Sequence, residues 1–531
     1  MQTGERIYIF DTTLRDGQQC PGAGMSADKN IEYAELACKL GVDVLEAGFP
    51  SASKTDFRIV KSIVERLAEY RSAPTVAALC QLREEQIIKT IEALEPGIKS
   101  GRVRLHTYVP VDPALMQASL GARAENKANI IAELERCVSM AVSSGVEVQF
   151  SPEGYSRMGE NFDFVTDLIR TAVSAGATVI NCPDTIGGAC ELEGKDYFVN
   201  QMNRHAEIIR NEFPEVELTW SVHCHNDFGL AVQNTINAVF KGPARQIEGC
   251  INGVGERAGN ASLEQCIMII KHFAACVDPE NPYYTCVDTE KLQAISDFVS
   301  RHMLTRQPHW PITGDNAARH SSGGHTNAIL RNPLAYQAFD PRETGKQITM
   351  LFGPLSGGNH AKAIIESYGY RCDDSEKAEI AQFIKDMYAD RRKGITDEEL
   401  IRGYFAYRRS VEIDKFSYSR KNGTASVRCQ GRIFNEEGEF RAETKEGNSA
   451  LAALKSLLDK KVSGLSIESH SSESVGKSVS AKSLSRIVIR DRNSNATCVG
   501  LGEDQDIEIS AMKALVDAVN LACIERYYRM R

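Results

Sequence analysis

The sequence predicts an α/β protein: a (β/α)₈ TIM barrel, then helical connector subdomains, then a C-terminal α+β domain. Three observations carry this. Within the first 280 residues a β-rich apolar run, a helical pattern, a Gly and a new apolar run alternate through eight strand candidates. Alternation implies parallel pairing, and eight units at this length fit a closed barrel better than an open doubly wound sheet. Polar residues fall at nearly every strand end, where a barrel gathers its functional groups. After Ser410 a hairpin-helix unit occurs twice.

The elements follow in order. Arg6–Phe10 reads as the first strand. Ser26 can cap a helix that runs to Leu40, and Gly41 can end it. Further strands are expected at Val42–Ala47, Thr75–Leu79, Val103–Val109 and Val146–Ser151, then Thr178–Asn181, Leu218–His223 and Gln246–Ile251. Asn126–Ser144 and Phe162–Ala175 are examples of the helices between them. Residues 1–280 are therefore read as the barrel and 281–409 as helical connector with Gly/Pro/His-rich interruptions. Residues 410–531 form the third domain. There Thr424–Ile433, a turn at Asn435-Glu436-Glu437-Gly438 and Glu439–Thr444 make a hairpin, followed by a helix at Ser449–Lys460. The second unit is Ser485–Arg490, a turn at Asp491–Asn495, Ala496–Val499 and a helix at Ser510–Ile524. The helices are expected to begin after Gly447-Asn448-Ser449 and Glu508-Ile509-Ser510. Ser463–Ser483 holds nine serines and reads as part strand, part mobile loop.

Composition excludes several classes. Hydrophobic residues at 42% and charged residues at 25% are ordinary globular usage, so a mostly disordered or coiled-coil chain is ruled out. No apolar stretch is long enough to span a membrane. The net charge is -9, and the densest basic run, Arg391-Arg392-Lys393, is short, which disfavours nucleic acid as a partner. Fifteen cysteines are scattered without a C-x-x-C pair, and Met1-Gln2-Thr3-Gly4-Glu5-Arg6 shows no apolar signal region. Reduced thiols in the cytoplasm are expected.

His223-Cys224-His225 places two imidazoles on one face of a strand, with Cys224 expected to point away. Asp16, from the first strand end, can add a carboxylate, and Asn260 a neutral oxygen. Such a mixed set with open positions suits Mg²⁺, Mn²⁺ or Zn²⁺; a hydrogen-bonded histidine pair is the plainer alternative. Arg15 beside Asp16 is either a structural ion pair or a clamp for a substrate oxygen on which charge develops. Gly253-Val254-Gly255-Glu256-Arg257-Ala258-Gly259-Asn260, before a helix at Ala261–Phe273, is either an anion-binding loop or a tight turn.

Phe10-Asp11-Thr12-Thr13-Leu14-Arg15-Asp16-Gly17 resembles the opening signature of the acyl-CoA-dependent 2-oxoacid condensing enzymes. These are the isopropylmalate, homocitrate and citramalate synthases, relatives of hydroxymethylglutaryl-CoA lyase. His223-Cys224-His225-Asn226-Asp227-Phe228-Gly229-Leu230-Ala231 and Asn252-Gly253-Val254-Gly255-Glu256-Arg257-Ala258-Gly259-Asn260 resemble the second and third signatures, in the same order. Within the family the chain looks most like the 2-isopropylmalate synthases, whose catalytic barrel, helical subdomains and regulatory-type C-terminal domain match the layout read above. The resemblance implies a divalent metal (Mn²⁺, Mg²⁺ or Zn²⁺) on Asp16, His223, His225 and Asn260. It implies a 2-oxoacid pocket at His106, Ser151, Glu153, Asn181, Pro183 and Thr185, and acetyl-CoA as co-substrate. His325 and Tyr336 match a pair that enters the neighbouring subunit's active site, so a homodimer is implied. The C-terminal domain resembles one that binds leucine or another end product as effector.

The implied reaction is a Claisen-type condensation. Arg15 and the metal polarise the ketone, Glu153 or His325 removes a proton from the acetyl-CoA methyl group, and water then hydrolyses the thioester. The chain departs from the family pattern at Arg319, Ser321 and Gly324, and at Gly353-Pro354-Leu355-Ser356-Gly357-Gly358-Asn359-His360, where a Lys-His-Ser-Gly-Arg-His run is usual. The alternatives are therefore a paralogue using another 2-oxoacid (a citramalate, homocitrate or aryl-malate type synthase), a metal-dependent acyl-CoA lyase, and a binding protein that kept the fold. The lyases generally lack a long C-terminal domain.

Overall fold

The computed structural model describes residues 4–390, 394–445, 449–475 and 481–530. The run Arg391-Arg392-Lys393, the pair Gly447-Asn448, part of the serine-rich stretch and the opening Met1-Gln2-Thr3 lie outside the described residues. The chain divides into two compact units, Met1–Ala318 with Phe339–Ile348, and Arg319–Ala338 with Thr349–Arg531.

The first unit is a closed parallel barrel. Its strands are β1 (Tyr8–Asp11), β2 (Val44–Glu46), β3 (Thr75–Gln81), β4 (Val103–Pro110), β5 (Glu147–Glu153), β6 (Val179–Asp184), β7 (Thr219–Cys224) and β8 (Ala244–Gly249). They pair in chain order, and β8 closes on β1. The helices are α1 (Ala27–Leu40), α2 (Lys54–Leu67), α3 (Glu84–Ile98), α4 (Pro113–Leu120), α5 (Lys127–Ser143), α6 (Phe162–Ser174), α7 (Phe198–Glu212), α8 (Ala231–Phe240) and α9 (Leu263–Val277), with α10 (Leu292–His302) beyond the last strand.

Local chemistry sets many of these ends. Ser26 accepts from the Lys29 amide at the start of α1, and Gly41 ends it at φ 86, a conformation in which a side chain is strained. Ser53 caps α2, and Asp112 with Pro113 opens α4. The strands are buried on both faces, which is why they read as apolar runs rather than as alternating ones. Parallel register sets Leu79 beside His106, Tyr108 beside Ser151, Pro183 beside His223 and His223 beside Glu248. The polar strand ends of the sequence thus form one ring.

The second unit opens with a two-stranded parallel pair, β9 (Arg319–His320) and β10 (Thr349–Met350), and α11 (Gly323–Ile329). Then come α12 (Gly358–Ser367), α13 (Lys377–Met387) and α14 (Asp397–Tyr407), the last begun by a Thr396/Glu399 capping box. Two antiparallel three-stranded sheets follow, each with a helix after it. The first is β11 (Val411–Lys421), β12 (Thr424–Ile433), β13 (Glu436–Thr444) and α15 (Ala450–Asp459); the second is β14 (Leu465–Val475), β15 (Lys482–Asp491), β16 (Thr497–Asp504) and α16 (Ile507–Tyr527). The leading strand of each has a register irregularity, at Ile413/Lys415 and Ile467/Ser469, so the repeat extends to backbone detail. Leu454, Leu458, Leu515 and Val519 of the two helices pack with Val427 and Ile487 of the sheets. Gly500 and Gly502 let α16 lie close: a Cβ there would stand 2.1 and 2.2 Å from helix carbonyls.

Four expectations need correction. The first hairpin has a third strand, β11, that the sequence did not suggest because polar outward positions hide the alternation, whereas β14 is the strand part expected of the serine-rich stretch. The turn before β13 is Phe434-Asn435, with Phe434 at φ 55, and Glu436 to Gly438 belong to the strand. The last helix starts at Ile507, capped by Asp506. The helix after the glycine loop starts at Leu263, two residues later than expected.

Candidate metal centre and active site

The C-terminal ends of β1, β4, β5, β6 and β7 surround a cavity of about 190 Å³. Its wall includes Arg15, Asp16, His106, Ser151, Glu153, Asn181, Pro183, Thr185, His223 and His225. The sequence also missed four lining residues, Gln19, Leu79, Tyr108 and Glu248.

His223 and His225 share the inner face of the β7 end, with ring centroids 5.0 Å apart. Cys224, between them, is buried among groups outside the barrel wall, Thr235 and Cys266. One ligand atom from each of Asp16, His223 and His225 lies within 4.8 Å of the others, and all three residues are buried. Asn260 comes from the loop after β8. Its Nδ2 donates to Asp16 Oδ1 at 2.6 Å and to the Val254 carbonyl at 3.1 Å. That leaves Asn260 Oδ1 buried without a partner, as is Nδ1 of His225. Orphaned buried acceptors are costly, and a cation among these donors would relieve that cost. Two imidazoles, a carboxylate and an amide oxygen are a donor set that fits a divalent metal.

Electrostatics favour the ligand forms such an ion requires. Burial alone would raise the Asp16 carboxyl, but Arg15 and the two imidazoles hold it well below the usual carboxylate range. Burial and then His225 push the His223 imidazole down to about 3, and burial lowers His225 as well, so both rings are neutral near pH 7. Arg15 sits between two carboxylates, with Nη1 2.6 Å from Asp16 Oδ2 and Nε 2.6 Å from Glu46 Oε2. Burial would lower its pKa, but Glu46 and Asp16 more than offset this, and it stays charged.

A second chain of hydrogen bonds crosses the ring. Burial would raise the Glu46 carboxyl, yet Arg15 and His106 bring it down to about 2. It accepts from Thr12 at 2.5 Å and contacts His106 Nδ1 at 2.7 Å. An ionised Glu46 makes Nδ1 the donor, and His106 Nε2 is hydrogen-bonded to the Ser151 hydroxyl, 2.7 Å away. Asn181 Nδ2 donates to Ser151 Oγ at 3.0 Å and to Glu248 Oε2 at 3.3 Å. Glu248, 3.6 Å from His223 Nδ1, is pushed up to about 7 by burial. Glu153 is also raised by burial, against the pull of Arg15. Thr185 accepts from the Gly154 amide at 2.8 Å and so fixes the backbone beside Glu153.

The glycine-rich loop resolves as a tight turn that places Asn260. Asn252, at φ 58, donates its amide to Glu264 and its side chain to the Ser296 carbonyl at 2.9 Å. A Cβ on Gly255 would lie 2.3 Å from Asn260 Nδ2 and 3.2 Å from Asp16 Oδ1. His325 and Tyr336 belong to the second unit, where they stack with centroids 3.9 Å apart at 18°.

Family models match in three consecutive stretches. The HMGL-like family covers residues 6–299, the homocitrate synthase post-HMGL domain-like family 312–393, and the LeuA allosteric (dimerisation) domain 394–523. Among curated proteins, 2-isopropylmalate synthase of Aquifex aeolicus (strain VF5) is 32% identical, over 99% of this chain and 97% of that protein. The enzyme of the same name from Paracidovorax citrulli (strain AAC00-1) is 32% identical over 97% of both. That from Prochlorococcus marinus (strain MIT 9301) is 34% identical over 97% of this chain and 93% of that one.

Proposed function

Since the chain belongs to the 2-isopropylmalate synthase family, we propose that its acyl-CoA condensation joins acetyl-CoA to 2-oxoisovalerate. The products are 2-isopropylmalate and CoA, the first committed step of leucine biosynthesis. The observation that carries the reading is the buried Asp16, His223, His225 cluster in one cavity with Arg15.

Asp16, His223, His225 and Asn260 would hold a divalent ion, Mn²⁺, Mg²⁺ or Zn²⁺, whose chemistry is Lewis-acid polarisation of a carbonyl. Arg15 is fixed by Asp16 and Glu46, so its charge stands ready for the oxygen that becomes negative as the ketone is attacked. His106, Ser151, Asn181, Pro183 and Thr185 seat the 2-oxoacid. Glu153 removes the methyl proton of acetyl-CoA: it lines the cavity, and burial makes its carboxylate a stronger base than an exposed one. The carbanion attacks the ketone carbon, the alkoxide takes a proton, and water cleaves the thioester to release CoA.

The region matching the LeuA allosteric (dimerisation) domain supports a homodimer with leucine as effector. His325 and Tyr336 then serve the neighbouring copy's active site. The fifteen free thiols support a cytoplasmic location. The altered residues Arg319, Ser321 and Gly324 favour, as a second reading, a different 2-oxoacid on the same machinery.

CoA release with Mg²⁺ or Mn²⁺ tests this, with 2-oxoisovalerate beside pyruvate, 2-oxoglutarate and an aromatic 2-oxoacid. An enzyme-only blank corrects for the protein thiols. Preference for 2-oxoisovalerate is expected; preference for another acid selects the second reading, and no turnover on any refutes both.

A further inference from the structure

Beneath the ring that walls the active-site cavity lie four more polar side chains. Arg104, Gln149, Ser221 and Gln246 each stand two residues before a ring member, His106, Ser151, His223 and Glu248 respectively. Residues two apart share a strand face, so the four point into the barrel below the ring. All four are buried, and none of them is part of the cavity wall. Barrel interiors are dominated by Val, Ile and Leu, so packing alone does not account for this group.

Its hydrogen bonds run in one direction. A guanidinium can only donate. Arg104 Nη1 donates to Gln246 Oε1 at 2.7 Å and to Gln149 Oε1 at 3.2 Å. Both amides are thereby turned with their oxygens toward Arg104 and their NH₂ groups away from it. Gln149 Nε2 donates directly to Glu248 Oε1. Gln246 Nε2 donates to Ser221 Oγ at 2.9 Å, and the Ser221 hydroxyl passes its own proton to Glu248 Oε1, 3.3 Å away. Two donors therefore hold Oε1, and Oε2 is left to the site above. It accepts from Asn181 Nδ2 at 3.3 Å and lies 3.6 Å from His223 Nδ1. The other nitrogen of that ring, Nε2, faces Asp16 Oδ2 at 4.0 Å.

We propose that Arg104 is a positioning residue for the metal centre, acting through Gln149, Gln246 and Ser221 on Glu248. With its acceptor oxygen aimed at Nδ1, Glu248 selects the Nδ1–H tautomer of His223 and leaves the Nε2 lone pair for the ion. The inference rests on the divalent-metal reading of Asp16, His223, His225 and Asn260 and adds what orients one of those ligands from below.

The test compares Arg104→Met, which removes the donors, with Arg104→Lys, which keeps a donor-only cation, in the full-length protein. Competition with a chelating dye should show Mn²⁺ affinity reduced about 10- to 100-fold in Arg104→Met, the usual effect of losing a group behind a ligand. Arg104→Lys should recover most of it; equal loss in both variants would mean a packing role and overturns the proposal. A second readout needs no metal. In ¹⁵N spectra of histidine-labelled, metal-stripped protein, the His223 signal, assigned by its absence in His223→Gln, should report one Nδ1–H tautomer in wild type and a mixture in Arg104→Met. A folded Arg104→Met with wild-type affinity and a single tautomer overturns the relay. If that variant does not fold, Ser221→Ala, which cuts one arm with little change in packing, decides in its place: unchanged Mn²⁺ affinity and tautomer overturn the relay, and a shift in both supports it. Wild type that shows the Nδ1–H tautomer but takes up no Mn²⁺ refutes the metal reading and the positioning role together. Arginine-dependent Mn²⁺ binding without CoA release on any 2-oxoacid supports the relay and overturns the proposed reaction instead.

Discussion

Glu153 and Glu46 are carboxylates in one ring with opposite fates. Glu46 is fully buried, but Arg15, His106 and Thr12 stabilise its charge, so it stays ionised and orients its neighbours. Glu153 has burial without a bonded cation, so its pKa rises. That division separates a positioning group from a base. If Glu153 is the base, activity falls as pH drops through its raised pKa, because the carboxylate form is lost there. The acid limb of kcat/KM should therefore lie above the ordinary glutamate value of about 4.3. Glu153→Gln should lower kcat by about 10²- to 10⁴-fold and abolish that limb, read from steady-state rates across pH. A variant that keeps wild-type kcat would remove Glu153 from the chemistry.

At the scale of elements, the loop after β8 leaves no room for a side chain at Gly255, beside the Asn260 amide. Gly255 has no positive φ, so alanine suits its backbone, yet a Cβ meets Asn260 Nδ2 at 2.3 Å. Gly255→Ala should thus leave the fold intact and weaken divalent-metal binding at least about tenfold, measured by competition with a chelating dye. Unchanged metal affinity would mean that Asn260 is not a ligand. This loop also marks the limit of sequence reading. The three signatures were legible because their glycines, histidines and Asp16 are local in the chain. Leu79, Tyr108 and Glu248 were not, since each is an unremarkable strand residue until the register of five strands brings it to the ring. The eight barrel strands were legible as apolar runs; β11 was not, because only a few of its positions are buried, and β14 was legible only as the strand part of the serine-rich stretch. A second element, β15, ends at Asp491, which accepts from Arg526 of α16 and from Asn493 and Ser494. Burial would raise this carboxyl, but Arg526 and the other donors bring it down to about 2. Its contribution, about 2 kcal/mol, is present above the unfolded value near 3.9 and lost as pH falls through about 2. Asp491→Asn should therefore destabilise the C-terminal region at neutral pH, with the gap to wild type closing below pH 4 in urea melts.

The molecule as a whole has separate hydrophobic cores. One lies in the barrel, from Ile7 to Met303, and needs none of the residues after Phe339. The second unit has two, and they are joined by one helix. The first half of α16 packs on the C-terminal sheets through Met512, Leu515 and Val519. Its far end serves the connector helices: Ile524 packs with Phe352, Ile365, Ile384 and Tyr404. Tyr370 donates to Glu525 at 2.5 Å, and the Arg371 amide to the Tyr528 carbonyl at 2.7 Å. A chain cut after Arg409, at the boundary read from the sequence, would thus lose more than the C-terminal sheets. It would also open the core beneath α12, α13 and α14. Losing one buried Ile alone costs about 2–5 kcal/mol, a large share of a small core's stability. The truncated protein should keep a cooperative barrel transition in calorimetry, while its connector becomes sensitive to protease between residues 350 and 409. A connector that resists protease as well as it does in the full chain would show that α12 to α14 fold without α16.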